Sequence, residues 1–246
     1  MSTEIEKLTQ ILRDSNNIVF FGGAGVSTES NIPDFRSAKG LWNEKLQINL
    51  TPEQLVSHTM FMRYPKEFFE FYRDKLIYPE AKPNAAHIAL AKLEEMGKLK
   101  AVVTQNIDGL HQAAGSKNVY ELHGSVLRNY CMSCNAFYNE KFILESEGIP
   151  TCPKCGGKVK PDVVLYEEGL DNDVITGAVR AISQADTLII GGTSLVVYPA
   201  AGLIDYFRGK NLVLINKSST SADSKADLVI HEAIGKVLGE AVNNLW

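Results

Sequence analysis

The chain has 246 residues, 45% hydrophobic and 22% charged, and its 25 Lys and Arg against 29 Asp and Glu leave a net charge of −4. That is the balance of a globular protein with a real core, and it lacks the cationic surplus that neutralises phosphate, so nucleic acid is not expected as a direct ligand. The first residues carry Glu4 and Glu6 and no apolar run behind positive charge, which predicts no secretory signal and a cytoplasmic protein.

In chain order, the apolar run 17–21 predicts a buried strand, followed at once by Gly22-Gly23-Ala24-Gly25-Val26-Ser27-Thr28. Glycines after a strand let the backbone turn tightly and approach a pyrophosphate, while the following helix presents free N–H groups to it. Gly23 and Gly25 fit the first two positions of G-x-G-x-x-G, but Thr28 takes the third and no acidic residue ends a second strand about 20 residues on, so a plain turn and a nucleotide site both stay open. Helical spacing follows over 83–96, then a strand over 100–103.

That strand runs into Thr104-Gln105-Asn106-Ile107-Asp108-Gly109-Leu110-His111. An amide and a carboxylate at the carboxyl end of a parallel strand suit ribose hydroxyls or a carboxamide, yet Asn106 or Asp108 could equally cap a helix. A strand over 118–121 leads to Leu122-His123-Gly124, where an imidazole near neutral pKa could act as a base or be merely structural. His58, His87, His111 and His231 read as structural. After a helix over 173–183, the uncharged stretch 187–204 has the length of a membrane span, but Gly191-Gly192-Thr193-Ser194 and Tyr198-Pro199 divide it into a strand over 187–190, a loop and a helix start. A strand over 211–215 precedes a Ser-rich loop over 217–225.

Strands alternating with helices predict an α/β protein with a doubly wound, mostly parallel, Rossmann-like sheet. The four cysteines form C-x2-C (Cys131, Cys134), 17 intervening residues and C-x2-C (Cys152, Cys155), the pattern of a tetrahedral zinc site. Four thiolates leave no open position, so the metal is expected to be structural. The expected organisation is a nucleotide-binding domain over 1–127 and 159–246, with a zinc module inserted at 128–158.

Taken in order, Gly23-Ala24-Gly25-x-Ser27, Ile32-Pro33-Asp34-Phe35-Arg36, the string 104–111, Leu122-His123-Gly124, the cysteine quartet, Gly192-Thr193-Ser194-Leu195-x-Val197-x-Pro199 and Ile215-Asn216 make the chain resemble a bacterial sirtuin, from about residue 5 to residue 238. The resemblance implies an NAD-dependent protein lysine deacetylase acting on acetyl-lysine proteins or peptides as a monomer, with NAD as co-substrate and one structural zinc. It implies that Ala24, Thr28, Phe35 and Arg36 belong to the turn and loop closing over NAD. Gln105, Asn106, Ile107 and Asp108 would line nicotinamide and its ribose, Thr193, Ser194 and Asn216 would hold phosphate and adenosine ribose, and Ala233 would touch adenine. His123, with Asn106, would be catalytic, His123 being the base that activates a ribose hydroxyl. Val164, Tyr166 and Val196 are the implied tunnel wall for acyl-lysine, although Val196 could equally pack in the core.

Two residues depart from the family pattern. Asn31 stands for a usual glycine, and Asn tolerates positive φ; Glu167 stands for another, and is expected to add bulk and charge near the peptide groove. Sirtuins selective for succinyl-lysine carry Tyr-x-x-Arg, whereas Phe71-Tyr72-Arg73-Asp74-Lys75 puts lysine at the arginine position, so uncharged acyl groups are expected. The other readings are a mono-ADP-ribosyltransferase, a deacylase for longer uncharged chains, a dehydrogenase and a zinc-ribbon adaptor.

Overall fold

The computed structural model describes residues 3–34 and 50–245. Its strands are β1 (Ile18–Gly22), β2 (Leu99–Thr104), β3 (Val119–Glu121), β4 (Gly124–Cys131), β5 (Phe137–Tyr138), β6 (Val159–Val163), β7 (Thr187–Gly191), β8 (Asn211–Ile215) and β9 (Leu228–Ile230). Six of them form one sheet in the order β3-β2-β1-β7-β8-β9, parallel at every pairing. The other three form a small antiparallel sheet, β5-β4-β6.

Helices cover both faces of the large sheet, which is why β1 and β7 are buried at every position and apolar but for Thr187. On one face Ile5, Leu8 and Leu12 of the helix Thr3–Asp14, Leu90 and Leu93 of Ala85–Glu95, and Val237 and Leu238 of Ile234–Asn243 pack on Phe20 and Val102. On the other, Ala178 and Ile182 of the helix Asn172–Gln184 and Leu203 of the 3-10 turn Ala200–Tyr206 pack on Val19, Phe21, Leu188 and Ile190. Each buried Leu or Phe contributes about 1.5–3 kcal/mol against exposure.

The expected α/β doubly wound sheet is present. The helix expected over 83–96 begins at Ala85, because the Asn84 side chain accepts from Ala86 N at 2.9 Å, and the one expected at 173 begins a residue earlier behind the Asp171 cap. Strand β9 was not foreseen, since three residues carry too little periodicity to announce an edge strand. The stretch 187–204 divides into β7, a loop and the turn Ala200–Tyr206, and among the described residues no helix is long and apolar enough to cross a membrane.

The small sheet has its own core. Phe61, Phe68, Phe69, Phe71 and Tyr72, from the helices His58–Arg63 and Pro65–Lys75, pack with Val126, Cys131, Ile143, Cys152 and Val159. Edge-to-face contacts order this cluster, with Phe61 5.3 Å and Phe69 5.2 Å from the Phe68 ring.

Candidate active site

The strand register brings the motif segments together. Gly22, Thr104, Glu121, Gly191, Ile215 and Ile230 lie on one line across the large sheet, so Gly23, Gln105, Leu122, Gly192, Asn216 and His231 all start at the same edge. β1 and β7, the strands where the order reverses, lie at its centre, the switch point at which open α/β sheets bind ligands. There the loops touch backbone to backbone: Gly25 N donates to Gly192 O at 2.8 Å, and a Cβ on Gly25 would come within 2.8 Å of Gly192 Cα. Only glycine permits that approach.

Beside this contact lies a chain of polar groups. The buried Asn106 donates through Nδ2 to Ser27 Oγ at 3.0 Å, and Ser27 Oγ donates to Asp108 Oδ2 at 2.6 Å. The other Asp108 oxygen accepts from Leu110 N at 2.9 Å. Asp108 therefore satisfies the first N–H of the short helix Leu110–Ala113 from the position before its N-cap residue, Gly109, while the Asn106 side chain bonds Ser27. Ser27 was given no role by sequence reasoning. Its only signal was its place in the glycine string, and its meaning depends on a segment some eighty residues away in the chain. Gln105 is fixed by N to Gly22 O at 3.0 Å and by Nε2 to Thr193 Oγ1 at 3.1 Å, which ties the β1, β2 and β7 loops.

His123 follows β3 and is half-buried. Its Nδ1 lies 2.9 Å from Gln105 O, and a carbonyl only accepts, so Nδ1 carries the proton and Nε2 keeps its lone pair. Burial lowers the imidazole pKa below its ordinary 6.5, opposed by that hydrogen bond, so the ring is a neutral base at pH 7. Gly124, at φ 73°, turns the chain straight into β4, where a Cβ would collide with Asp162 O. The other histidines are otherwise engaged: His58 on Glu168 at 2.8 Å, His231 on Asn216 O at 2.9 Å at the same sheet edge, and His87 and His111 buried with ring centroids 4.7 Å apart.

Ala24 is exposed and Thr28 half-buried, its hydroxyl donating to Gly25 O at 3.0 Å; Ile107 is half-buried and Ser194 exposed in the β7 loop. Asn216 stands at the end of β8 with Nδ2 on Ser218 O at 2.8 Å, and Ala233 precedes the helix Ile234–Asn243. Phe35 and Arg36 lie outside the described residues.

On the small-sheet side, Val164 N donates to His123 O at 3.0 Å, placing that strand end against the base. Tyr166 pairs through its backbone with Val56 O at 3.1 Å and His58 N at 2.9 Å and is 38% exposed; Val196 is 55% exposed and therefore not a core residue. Asn31 adopts φ 62°, the left-handed turn foreseen for it. Glu167 also adopts positive φ, 76°, and its carboxylate is engaged: Oε2 accepts from Thr59 N at 2.8 Å and Thr59 Oγ1 at 2.7 Å. The charge is thus turned onto the first turn of the helix His58–Arg63, where those donors hold its pKa low.

The four cysteine Sγ atoms lie within 4.8 Å of one another, with Cys131 and Cys155 3.4 Å and Cys134 and Cys152 3.6 Å apart. Zn–S bonds of about 2.3 Å in a tetrahedron put sulfurs about 3.7 Å apart, so the quartet fits zinc and fills its coordination. The Tyr138 hydroxyl, 3.0 Å from Cys152 Sγ, lowers that thiol to about 6, toward the thiolate a metal requires.

The sequence model of the Sir2 family matches residues 23–199. The NAD-dependent protein deacetylase of Clostridium perfringens is 78% identical over 244 residues, covering 99% of this chain and 100% of that protein. Among solved structures, a Sir2 homolog–NAD complex superposes with TM-score 0.87 at 39% identity, covering 98% of this chain and 93% of the other. A Sir2 enzyme holding a deacetylated p53 peptide and 3′-O-acetyl ADP ribose also gives TM-score 0.87, at 37% identity with 98% of both chains covered.

Proposed function

Because this chain belongs to the Sir2 family, we infer that it acts as an NAD-dependent protein lysine deacetylase, releasing nicotinamide and, with one water consumed, forming O-acetyl-ADP-ribose and free lysine. The observation that carries the reading is His123, its Nδ1 committed to Gln105 O, one residue along from the Asn106–Ser27–Asp108 chain, and its Nε2 without a hydrogen-bond partner among the described residues.

The hydroxyl, amide and carboxylate groups gathered at the switch point suit a ligand made of hydroxyls, a carboxamide and phosphates. When bound, NAD supplies a ribose carbon that becomes electrophilic as nicotinamide leaves. Asp108 has a carboxylate to accept from the carboxamide N–H, positioned by Ser27; Gln105, Asn106 and Ile107 border the nicotinamide ribose. Ala24, Thr28, Phe35 and Arg36 cover it, and Phe35 excludes water from the reactive face. Thr193, Ser194 and Asn216 hold the phosphate and adenosine ribose, and Ala233 meets adenine. His123 Nε2 takes the proton of a ribose hydroxyl as that oxygen attacks the acyl group, which needs the neutral ring that burial maintains. The acetyl-lysine peptide enters between the two sheets, with Val164, Tyr166 and Val196 as the tunnel wall.

Zinc belongs to Cys131, Cys134, Cys152 and Cys155 and only supports the module read as 128–158, inserted between the NAD-binding parts 1–127 and 159–246. The working unit is proposed to be a single chain. A four-cysteine metal site of this kind favours the cytoplasm, where thiols stay reduced.

The test mixes purified protein, NAD and an acetyl-lysine peptide. Nicotinamide and deacetylated peptide are expected in equal amounts, with little nicotinamide when the peptide is omitted. Peptide-independent nicotinamide release with ADP-ribose on protein would mean a transferase, and formation of NADH would mean a dehydrogenase.

A further inference from the structure

Two side chains that have no part in the assignments above fasten the segment 24–31, which carries Ala24, Ser27 and Thr28, to the helices behind it. Asn84 donates through Nδ2 to Val26 O at 2.7 Å and to Ser30 Oγ at 2.9 Å, while its Oδ1 accepts from Ala86 N at 2.9 Å. Both amide hydrogens and the amide oxygen are used at once, and Asn84 N rests on Nδ1 of the fully buried His87 at 3.2 Å. From the other side, Glu29 Oε2 accepts from Gly235 N at 2.7 Å. The helix Ile234–Asn243 needs that acceptor, because its N-cap residue is Ala233, whose methyl accepts nothing. Gly235 makes room for it: a Cβ there would lie 2.8 Å from the same carboxylate oxygen.

We propose that Asn84 and Glu29 are positioning residues that hold the 24–31 turn in its NAD-competent shape before NAD arrives, Glu29 linking that turn to the helix start beside the adenine-side Ala233. This rests on the reading of 24–36 as the NAD turn. The turn is made of two short 3-10 segments, Ala24–Val26 and Thr28–Ser30, joined at Ser27, and 3-10 hydrogen-bond geometry is poorer than that of an α-helix. A ligand that binds only the held conformation has an apparent Kd equal to its intrinsic Kd divided by the fraction held. Release to about one tenth occupancy therefore weakens NAD about tenfold and leaves turnover at saturating NAD unchanged.

The experiment measures NAD affinity by titration calorimetry on the full chain, alongside Tm and steady-state kinetics, for Asn84→Ser, Glu29→Ala and Glu29→Gln. Serine still caps the helix at 85 but is too short to bridge Val26 O and Ser30 Oγ. Asn84→Ser is expected to weaken NAD about tenfold and Glu29→Ala about threefold, with kcat within about twofold and the peptide KM unchanged. Glu29→Gln, whose amide oxygen still accepts from Gly235 N, is expected to stay within about twofold of wild type. A merely structural role would lower Tm and leave Kd alone. Kd values within twofold of wild type for Asn84→Ser and Glu29→Ala, or equal losses with Glu29→Gln and Glu29→Ala, would overturn the proposal. Should Asn84→Ser fail to fold, the Glu29 pair decides it. A wild type that binds NAD yet leaves acetyl-lysine intact overturns the deacetylase reading, and the Kd comparison still judges this one.

Discussion

In the large sheet Phe20, Phe21, Ile189 and Ile190 are buried between helices on both faces, and every pairing is parallel. In the small sheet β5 has two residues, β4 and β6 pair with an irregularity between Ser125 and Asn129, and two of the four cysteines are exposed. One sheet is held by apolar packing on both sides; the other borrows an aromatic cluster from residues 58–75 and needs a metal at its far end. They are joined at His123 and by Arg128, which lies 2.7 Å from both Glu121 of β3 and Asp162 of β6. On the proposed function the site therefore has a floor from the large sheet, where NAD would bind, and a metal-dependent wall from the small sheet, which the peptide would meet.

Removing the metal should break the weaker partner first. Cys152→Ala leaves three thiolates and an open position, so zinc is expected to be lost and the small sheet to melt as a separate, earlier thermal transition, while the large sheet stays folded. Deacetylation should fall at least about tenfold although no cysteine touches substrate. A zinc-free protein with one transition and full activity would refute the division.

Acyl selectivity sharpens the comparison at the wall. Arg73 is committed to the small module, with Nε on Ile143 O and Nη2 on Gly148 O, both at 2.7 Å, and Lys75 is 3.0 Å from Asp74. No guanidinium fork is offered to an acyl carboxylate from this helix, so kcat/KM for acetyl-lysine should exceed that for succinyl-lysine by at least about tenfold on one peptide sequence, the worth of a lost bidentate pair. A succinyl preference would implicate Lys75.

A smaller effect tests the floor. Burial, with His87 beside it, pushes the His111 pKa down to about 3, and His87 is also lowered, chiefly by burial. Unfolded, these imidazoles protonate near 6.5, so the unfolded state binds more protons: stability is full above about pH 6.5 and falls as pH drops toward 3. His111→Phe should flatten that slope in urea titrations between pH 7 and pH 5, and an unchanged slope would show that His111 does not set it.

Much of this was legible because the signals are local. Apolar runs marked the central strands, glycines and polar strings marked their carboxyl ends, and paired cysteines marked the metal site. The positive φ of Asn31 followed from its residue type alone. What stayed hidden depends on contacts between distant segments: Ser27 between Asn106 and Asp108, Glu29 on Gly235, and Glu167 on Thr59. Asp108 uses both carboxylate oxygens, one on the Leu110 N–H that its helix-end reading expects and the other on Ser27.

The central claim is that His123 is the base acting after nicotinamide has left. Its most direct test is His123→Ala, assayed in parallel for deacetylation of an acetyl-lysine peptide and for exchange of labelled nicotinamide into NAD in the presence of that peptide. Deacetylation is expected to fall by at least about a hundredfold while exchange stays within about tenfold of wild type, because a general base contributes about 10²–10⁴ and only to the later step. Deacetylation at a near wild-type rate would contradict the claim.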